Sequence, residues 1–185
     1  MATVQAETLL TAEEYAKRPD PGYPEELVRG RIVPMSLPTR RHGQICNKAG
    51  RILGNYAEEH DLGHVLSNDA GVITERGPDT VRGADIAFYS FARLPKGPLP
   101  ASYGPEIPEL VIEVRSPSDR WPKLLAKVAE YLEAGVLVVV VLDPEPRSAH
   151  LYFADQPARV FGPDDELTLP EVFADFRVAV RRFFA

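Results

Sequence analysis

The sequence predicts an α/β-type fold, and three stretches carry that prediction. Residues 109–114, Glu-Leu-Val-Ile-Glu-Val, form an almost wholly apolar run bracketed by acids, the pattern of a central strand covered on both faces. A helical pattern from Ser118 to Ala134 follows, and then a second apolar run from Val136 to Leu142. Such a strand–helix–strand unit normally joins parallel strands through a right-handed crossover. Upstream, a long amphipathic helix precedes a β-rich section with strand segments at 65–67, 71–74 and 82–89.

The elements read in order as follows. Thr11 with Glu14 makes a capping box for a short helix from Thr11 to Lys17. The proline-rich stretch 19–24 ends it, so residues 1–24 are expected to form a helical extension to one domain filling 1–185. Residues 26–33 read as a strand, a glycine-containing turn or bulge, and a second strand. Thr39 can cap a helix that runs to about His60, with Ile45, Ala49, Ile52, Leu53 and Tyr56 as its apolar stripe and Gly63 as its stop. A Pro/Gly-rich loop covers 95–105. Ser118 is expected to cap the crossover helix and Gly135 to end it. A turn at 143–147, short strands at 149–153 and 158–161, and a tail helix at 178–184 complete the chain.

Composition bounds the function. Apolar residues make up 44% and charged residues 26% of the 185 residues, which is ordinary for a globular chain and argues against disorder. The longest apolar run is far too short to span a bilayer, and the first ten residues lack a basic segment followed by an apolar one. Cys46 is the only cysteine, so an internal disulfide is excluded and a reducing cytoplasm is expected. The net charge of −6 is awkward for a nucleic-acid partner, which needs local positive potential. Local patches matter more than the total, and acids gathered around a metal would add to the negative sum.

Two acids stand out. Asp85 lies between Ala84 and the apolar run Ile86-Ala87-Phe88, and Glu113 follows Leu110-Val111-Ile112. A carboxylate inside an apolar strand is costly to bury without a partner. Two of them on neighbouring strands make a hard oxygen site suited to magnesium or manganese. The competing reading is that each pairs with an arginine or caps a loop. Other candidates fall away. His60 and His64 have zinc-ligand spacing, but Gly63 interrupts the helix that would align them. No Gly-rich phosphate loop occurs. Ser116 has no neighbouring histidine and reads as a turn residue, and Cys46 reads as core of the long helix.

The string Glu113-Val114-Arg115-Ser116-Pro117-Ser118-Asp119, with Asp85 before it and Lys127-Val128-Ala129-Glu130-Tyr131, Ala134-Gly135-Val136 and Leu142-Asp143-Pro144 after it, resembles the bacterial restriction-endonuclease-like Uma family of the PD-(D/E)xK nuclease superfamily. Upstream, residues 11–15, 26–30 and Arg41-His42 extend the resemblance, as does Phe176-Arg177 downstream, so it covers nearly the whole chain. The resemblance implies a mixed central sheet flanked by helices, with additional β-hairpins, and Asp85 and Glu113 as metal ligands. The wider superfamily places a lysine two residues after the glutamate, where this chain has Arg115. Members of this branch offer a lysine from the following helix, which matches Lys127. Two departures are visible: Ala84 stands where proline is usual, and Val138 where an acid is usual.

Helix geometry bears on the lysine. With a core stripe of Trp121, Leu124, Leu125, Val128 and Leu132, Lys127 lies roughly 110° and Lys123 roughly 150° from the stripe's centre at ~100° per residue. Lys127 can therefore turn to the sheet edge, the alternative being a flank lysine that snorkels to water. Arg115 is the second candidate for the cation. Glu26 matches the family's early acid and would be a third ligand or hold a water, against the reading of a surface strand-end acid. His42 would touch phosphate or assist proton transfer, against a solvated helix residue, and Tyr131 reads as packing. The expected function is magnesium- or manganese-dependent hydrolysis of phosphodiester bonds, with DNA as partner and Arg29, Arg31, Arg40, Arg41, Lys48 and Arg51 as a phosphate-facing rim. The rival is a nuclease-like module that binds nucleic acid, or regulates, without cutting. The valine-rich strand and the apolar chain end, Phe183-Phe184, are compatible with a homodimer.

Overall fold

A computed structural model describes residues 9–117 and 119–185. The chain runs α1 (Ala12–Ala16), β1 (Glu25–Val28), β2 (Arg31–Pro34), α2 (Arg40–Glu59), β3 (Gly63–Glu75), β4 (Thr80–Ser90), β5 (Leu110–Val114), α3 (Trp121–Ala134), β6 (Val138–Asp143), β7 (Ser148–Tyr152), β8 (Arg159–Phe161), β9 (Glu166–Leu169), β10 (Phe173–Ala179) and a terminal 3-10 turn, Val180–Phe183. One sheet carries the order β2-β1-β4-β5-β6-β7-β8, with β3 also on β4, and β9 and β10 form a separate antiparallel pair. The crossover unit is present as expected: β5 and β6 pair in parallel, with α3 between them. Every other pairing is antiparallel.

Each face of the sheet has its own core. Ile45, Ala49 and Leu53 of α2 pack on Ile86, Phe88, Leu110 and Ile112, and β9, β10 and the terminal turn close this side with Phe173, Phe176 and Phe183. On the other face Leu124, Val128 and Tyr131 of α3 cover Ala87, Val111, Val139 and Val141. Residues of alternating parity along β5 and β6 thus go to opposite cores, which is why both strands are apolar throughout. The short α1 packs by Ala12 and Tyr15 against Leu27, Ile73 and Val81, and Thr11 makes the expected capping box with Glu14.

Several expectations are corrected. The two segments 65–67 and 71–74 belong to one strand, β3. Its register shifts between Ser67 and Ala70, where Asn68 and Asp69 take positive φ, so a bulge had the look of a gap. The expected tail helix is present but shorter and of the 3-10 type, Val180–Phe183, because β10 runs on to Ala179. The crossover helix starts at Trp121 with Arg120 in the cap position, and Ser118 lies outside the described residues. Gly135 does end that helix, in the left-handed conformation.

Gly63 does not stop α2, which ends at Glu59, with Asp61 taking positive φ. Its role is close approach. A Cβ there would sit 2.1 Å from the Tyr89 carbonyl and 2.8 Å from Ser90 Cα. Gly63→Ala should therefore push β3 off β4 and cost about 1–3 kcal/mol, as overpacking does. For a chain of this length that lowers the thermal midpoint by roughly 2–4 °C per kcal/mol, and a calorimetric scan reads it. An unchanged midpoint would show that the strand end adjusts freely.

Candidate metal-dependent hydrolase site

β4 is longer than either neighbour on one of its edges. β3 pairs with both Val81 and Ile86 on one side. β1 therefore meets the opposite edge at Val81, and β5 meets that same edge at Ile86. Between these contacts, residues 82–85 have no strand on that edge, and the backbone groups facing it need other partners. Side chains supply them. Glu26 Oε1 accepts from Gly83 N at 3.1 Å, and Lys127 Nζ donates to Gly83 O at 2.8 Å. Asp85 Oδ2 accepts from Val114 N at 2.7 Å, just past the end of the β4–β5 ladder. The hand-over from β1 to β5 is thus a polar opening in a sheet that is otherwise apolar along its middle.

The two acids singled out from the sequence meet here. Ile86 pairs with Ile112, so Asp85 and Glu113 are the next residues out where that ladder ends, close enough for the charge of Asp85 to act on Glu113. Asp85 is 8% and Glu113 5% exposed. Each oxygen of Glu113 takes one donor: Tyr131 Oη at 2.9 Å on Oε1 and Lys127 Nζ at 3.0 Å on Oε2. A carboxylate keeps further lone pairs for a cation after that. Burial pushes Glu113 up to about 7, with Lys127 opposing and Asp85 adding to the rise. Burial also works against Lys127's charge, but Glu113, Glu26 and Asp85 outweigh it and hold the lysine above its ordinary value, so it stays a cation.

Lys127 sits deeper than a helix wheel drawn on five apolar residues suggests. The residues that α3 buries are Leu124, Val128 and Tyr131, while Leu125 is 40% exposed. About that narrower stripe Lys127 lies only about 65° from the centre at ~100° per residue, and its side chain is 15% exposed. Lys123 is exposed. Arg115 goes elsewhere: its Nη1 is 3.1 Å from both oxygens of Asp143, and its guanidinium lies 5.3 Å from the Trp121 ring centre.

Glu26 is a buried acid, 5% exposed, and not a surface strand end. It accepts from Arg82 Nη1 at 2.7 Å and lies 3.3 Å from Lys127 Nζ. Burial raises its pKa, and the charges of Lys127 and Arg82 more than reverse this. Arg82 also grips Glu130 through two bonds of 2.6 and 2.8 Å. His42, at the first turn of α2, brings Nε2 to 3.3 Å from Asp85 Oδ2. Burial lowers its pKa, but the bond to Asp85 and that acid's charge carry it above its ordinary value. Asp85 in turn is held low, His42 and the Val114 amide overcoming the cost of burial.

The basic rim is divided. Arg40 and Arg41 are exposed at the start of α2, next to His42, and Arg41 donates to the Pro144 carbonyl. Lys48 and Arg51 line an open groove of about 510 Å³ with Tyr56, Phe176, Arg177 and Arg182; neither Asp85 nor Glu113 borders it. Arg29 lies in the tight turn between β1 and β2, 3.7 Å from Glu75. Arg31 is exposed on β2.

Four participants escaped the sequence reading. Asp69 stands on the β3 bulge, and Gly83 lets it approach, since a Cβ there would meet Asp69 Cβ at 2.9 Å. Loss of water on its inner side raises the Asp69 pKa, and the charge of Asp85 adds to the rise. Tyr131 packs, as expected, and also bonds Glu113. Arg82 holds Glu26. Cys46 packs, partly buried, against the core beneath α2 and also lies with Sγ 3.4 Å from His42 Nδ1. The helical spacing of His42 and Cys46, one turn apart, was the available signal.

A mixed sheet flanked by helices, with buried acids and a lysine at a break beside β4, is a restriction-endonuclease-like fold with a candidate site. The Uma2 family, described as "Putative restriction endonuclease", matches residues 12–181, and this chain belongs to it. Among solved structures, a protein from Anabaena variabilis described as "a putative nuclease belonging to DUF820" shares the fold. It matches with a TM-score of 0.81 and 19% identity, over 95% of this chain and 97% of that one. Among curated proteins no match is found. No helix of the described residues is long and apolar enough to cross a membrane.

Proposed function

We propose that this protein is a cytoplasmic endonuclease that hydrolyses phosphodiester bonds of DNA, with magnesium or manganese as cofactor. The observation that carries the reading is the meeting of Asp85, Glu113 and Lys127 at one break in the sheet. Family membership and the shared fold support the reaction class.

The donor set fits a hard divalent ion. Asp85 and Glu113 offer oxygen only, as magnesium and manganese prefer. Glu26, Asp69, Asp85 and Glu113 gather four carboxylates against the permanent cations Lys127 and Arg82. An added positive charge would relieve that surplus. When bound, such an ion supplies Lewis acidity and neutralises charge on the scissile phosphate.

The chain's own groups take the remaining roles. Lys127, protonated and fixed by Glu26 and the Gly83 carbonyl, stabilises charge that builds on the phosphate in the transition state. Arg82 and Glu130 hold Glu26, and through it Lys127, in place. His42 at the mouth exchanges a proton with the attacking or departing oxygen. Arg40 and Arg41 meet the phosphate backbone near the opening, so binding should weaken steeply with salt.

The test is nicking of supercoiled plasmid by stringently purified protein with magnesium, manganese or chelator, alongside Asp85→Asn. Metal-dependent nicking that Asp85→Asn loses is the expected result. Absence of nicking by the wild type, with salt-sensitive DNA binding intact, would replace the enzyme with a nuclease-like DNA-binding module.

A further inference from the structure

We propose that His42, Cys46 and Asp85 form a second cation site, selective for a thiophilic divalent ion of the zinc class, which shares Asp85 with the hard site and competes with it. One ring nitrogen of His42, Cys46 Sγ and one oxygen of Asp85 lie within 4.8 Å of one another. The two ring nitrogens of His42 face different partners, Nε2 lying 3.3 Å from Asp85 Oδ2 and Nδ1 3.4 Å from Cys46 Sγ. Zinc–nitrogen, –oxygen and –sulfur bonds at tetrahedral angles place ligand atoms roughly 3.3–3.7 Å apart. One nitrogen, the sulfur and one carboxylate oxygen, now within 4.8 Å of one another, reach those spans through side-chain adjustments of about an ångström.

The architecture favours chelation. His42 and Cys46 are one turn apart on the rigid N-terminal half of α2, so they present to one side, and Asp85 rises from the sheet beneath them. His42 is 13% and Asp85 10% exposed through the side chain, which leaves an approach from the mouth. Three protein ligands and an open fourth position are the pattern of an exchangeable zinc site. A sulfur donor is what separates this set from the oxygen-only pair Asp85–Glu113, because thiolates select zinc and similar ions over magnesium. On binding, the Cys46 thiol gives its proton to solvent, and the thiolate becomes the ligand. Zinc seated here occupies the carboxylate that the proposed magnesium site requires. That competition rests on the proposed function; the site itself does not.

The experiment is a cobalt(II) titration of metal-free, reduced, untagged protein, followed by absorbance, with zinc added afterwards. A thiolate-to-cobalt charge-transfer band is expected, bleached by zinc. Cys46→Ser should abolish the band and weaken zinc binding by at least the ~10–100-fold that loss of an outer-shell partner costs a metal site, and His42→Ala should weaken it also, with circular dichroism confirming that both variants fold. Glu113→Gln should keep the band. In the wild type, excess magnesium should lower the apparent cobalt affinity. No charge-transfer band in the wild type, or a band that survives in Cys46→Ser, overturns the site. A band that magnesium leaves untouched overturns the sharing of Asp85, and it does so whether or not the protein cuts DNA.

Discussion

Glu113→Gln should abolish metal-dependent cleavage while leaving the protein folded. The amide keeps the shape and can still accept from Tyr131 or Lys127, which hold the two carboxylate oxygens in the wild type. Lys127 retains Glu26 at 3.3 Å, so no buried cation is stranded. What disappears is the negative charge facing Asp85, and with it one of two anionic ligands. A fall in cleavage on the order of 10²–10³-fold or more is expected, the scale set by removing one preorganised electrostatic group. Calorimetry should show weaker magnesium binding in parallel. Cleavage at the wild-type rate by this variant would remove Glu113 from the chemistry.

Lys127→Met should separate binding from catalysis. The ammonium competes with any cation for Glu113 Oε2, which it approaches to 3.0 Å. Its removal should strengthen magnesium binding. Cleavage should nevertheless fall ~10²–10³-fold, because the charge aimed at the transition state is gone. Stability should drop as well. Removing one partner of a buried pair typically costs about 3–5 kcal/mol, and protonation of Glu113, already pushed up to about 7 by burial, sets the lower end of that range here. Glu113→Gln added to Lys127→Met should recover much of the stability and none of the activity. Denaturant melts and plasmid nicking on the single and double variants read both quantities. Weaker magnesium binding in Lys127→Met would mean that the lysine organises the site rather than opposing the ion.

The residues at the centre of these predictions were legible in the sequence for a simple reason. Asp85 and Glu113 interrupt apolar strands, and a buried charge needs a partner. The strand–helix–strand unit was legible because its two strands are apolar on both faces and its helix ends at a left-handed glycine. The bulge at Asn68 and Asp69 was not, because a local register shift looks like a loop when only alternation is read. Asp69 was missed with it. The placement of Lys127 came out only in part. Tertiary packing, and not apolarity, decided that Tyr131 is buried and Leu125 is not, and this turned the lysine inward. Glu26 could be matched to a family position, but its burial depends on where β1 leaves the edge of β4, which no local pattern encodes.

Crystals soaked in manganese, with data collected for its anomalous signal, would test the metal site most directly. A peak within oxygen-ligand distance of both Asp85 and Glu113, with Lys127 Nζ displaced from Glu113 Oε2, is the predicted result. Manganese found only elsewhere, with Lys127 still locked on Glu113, would contradict it.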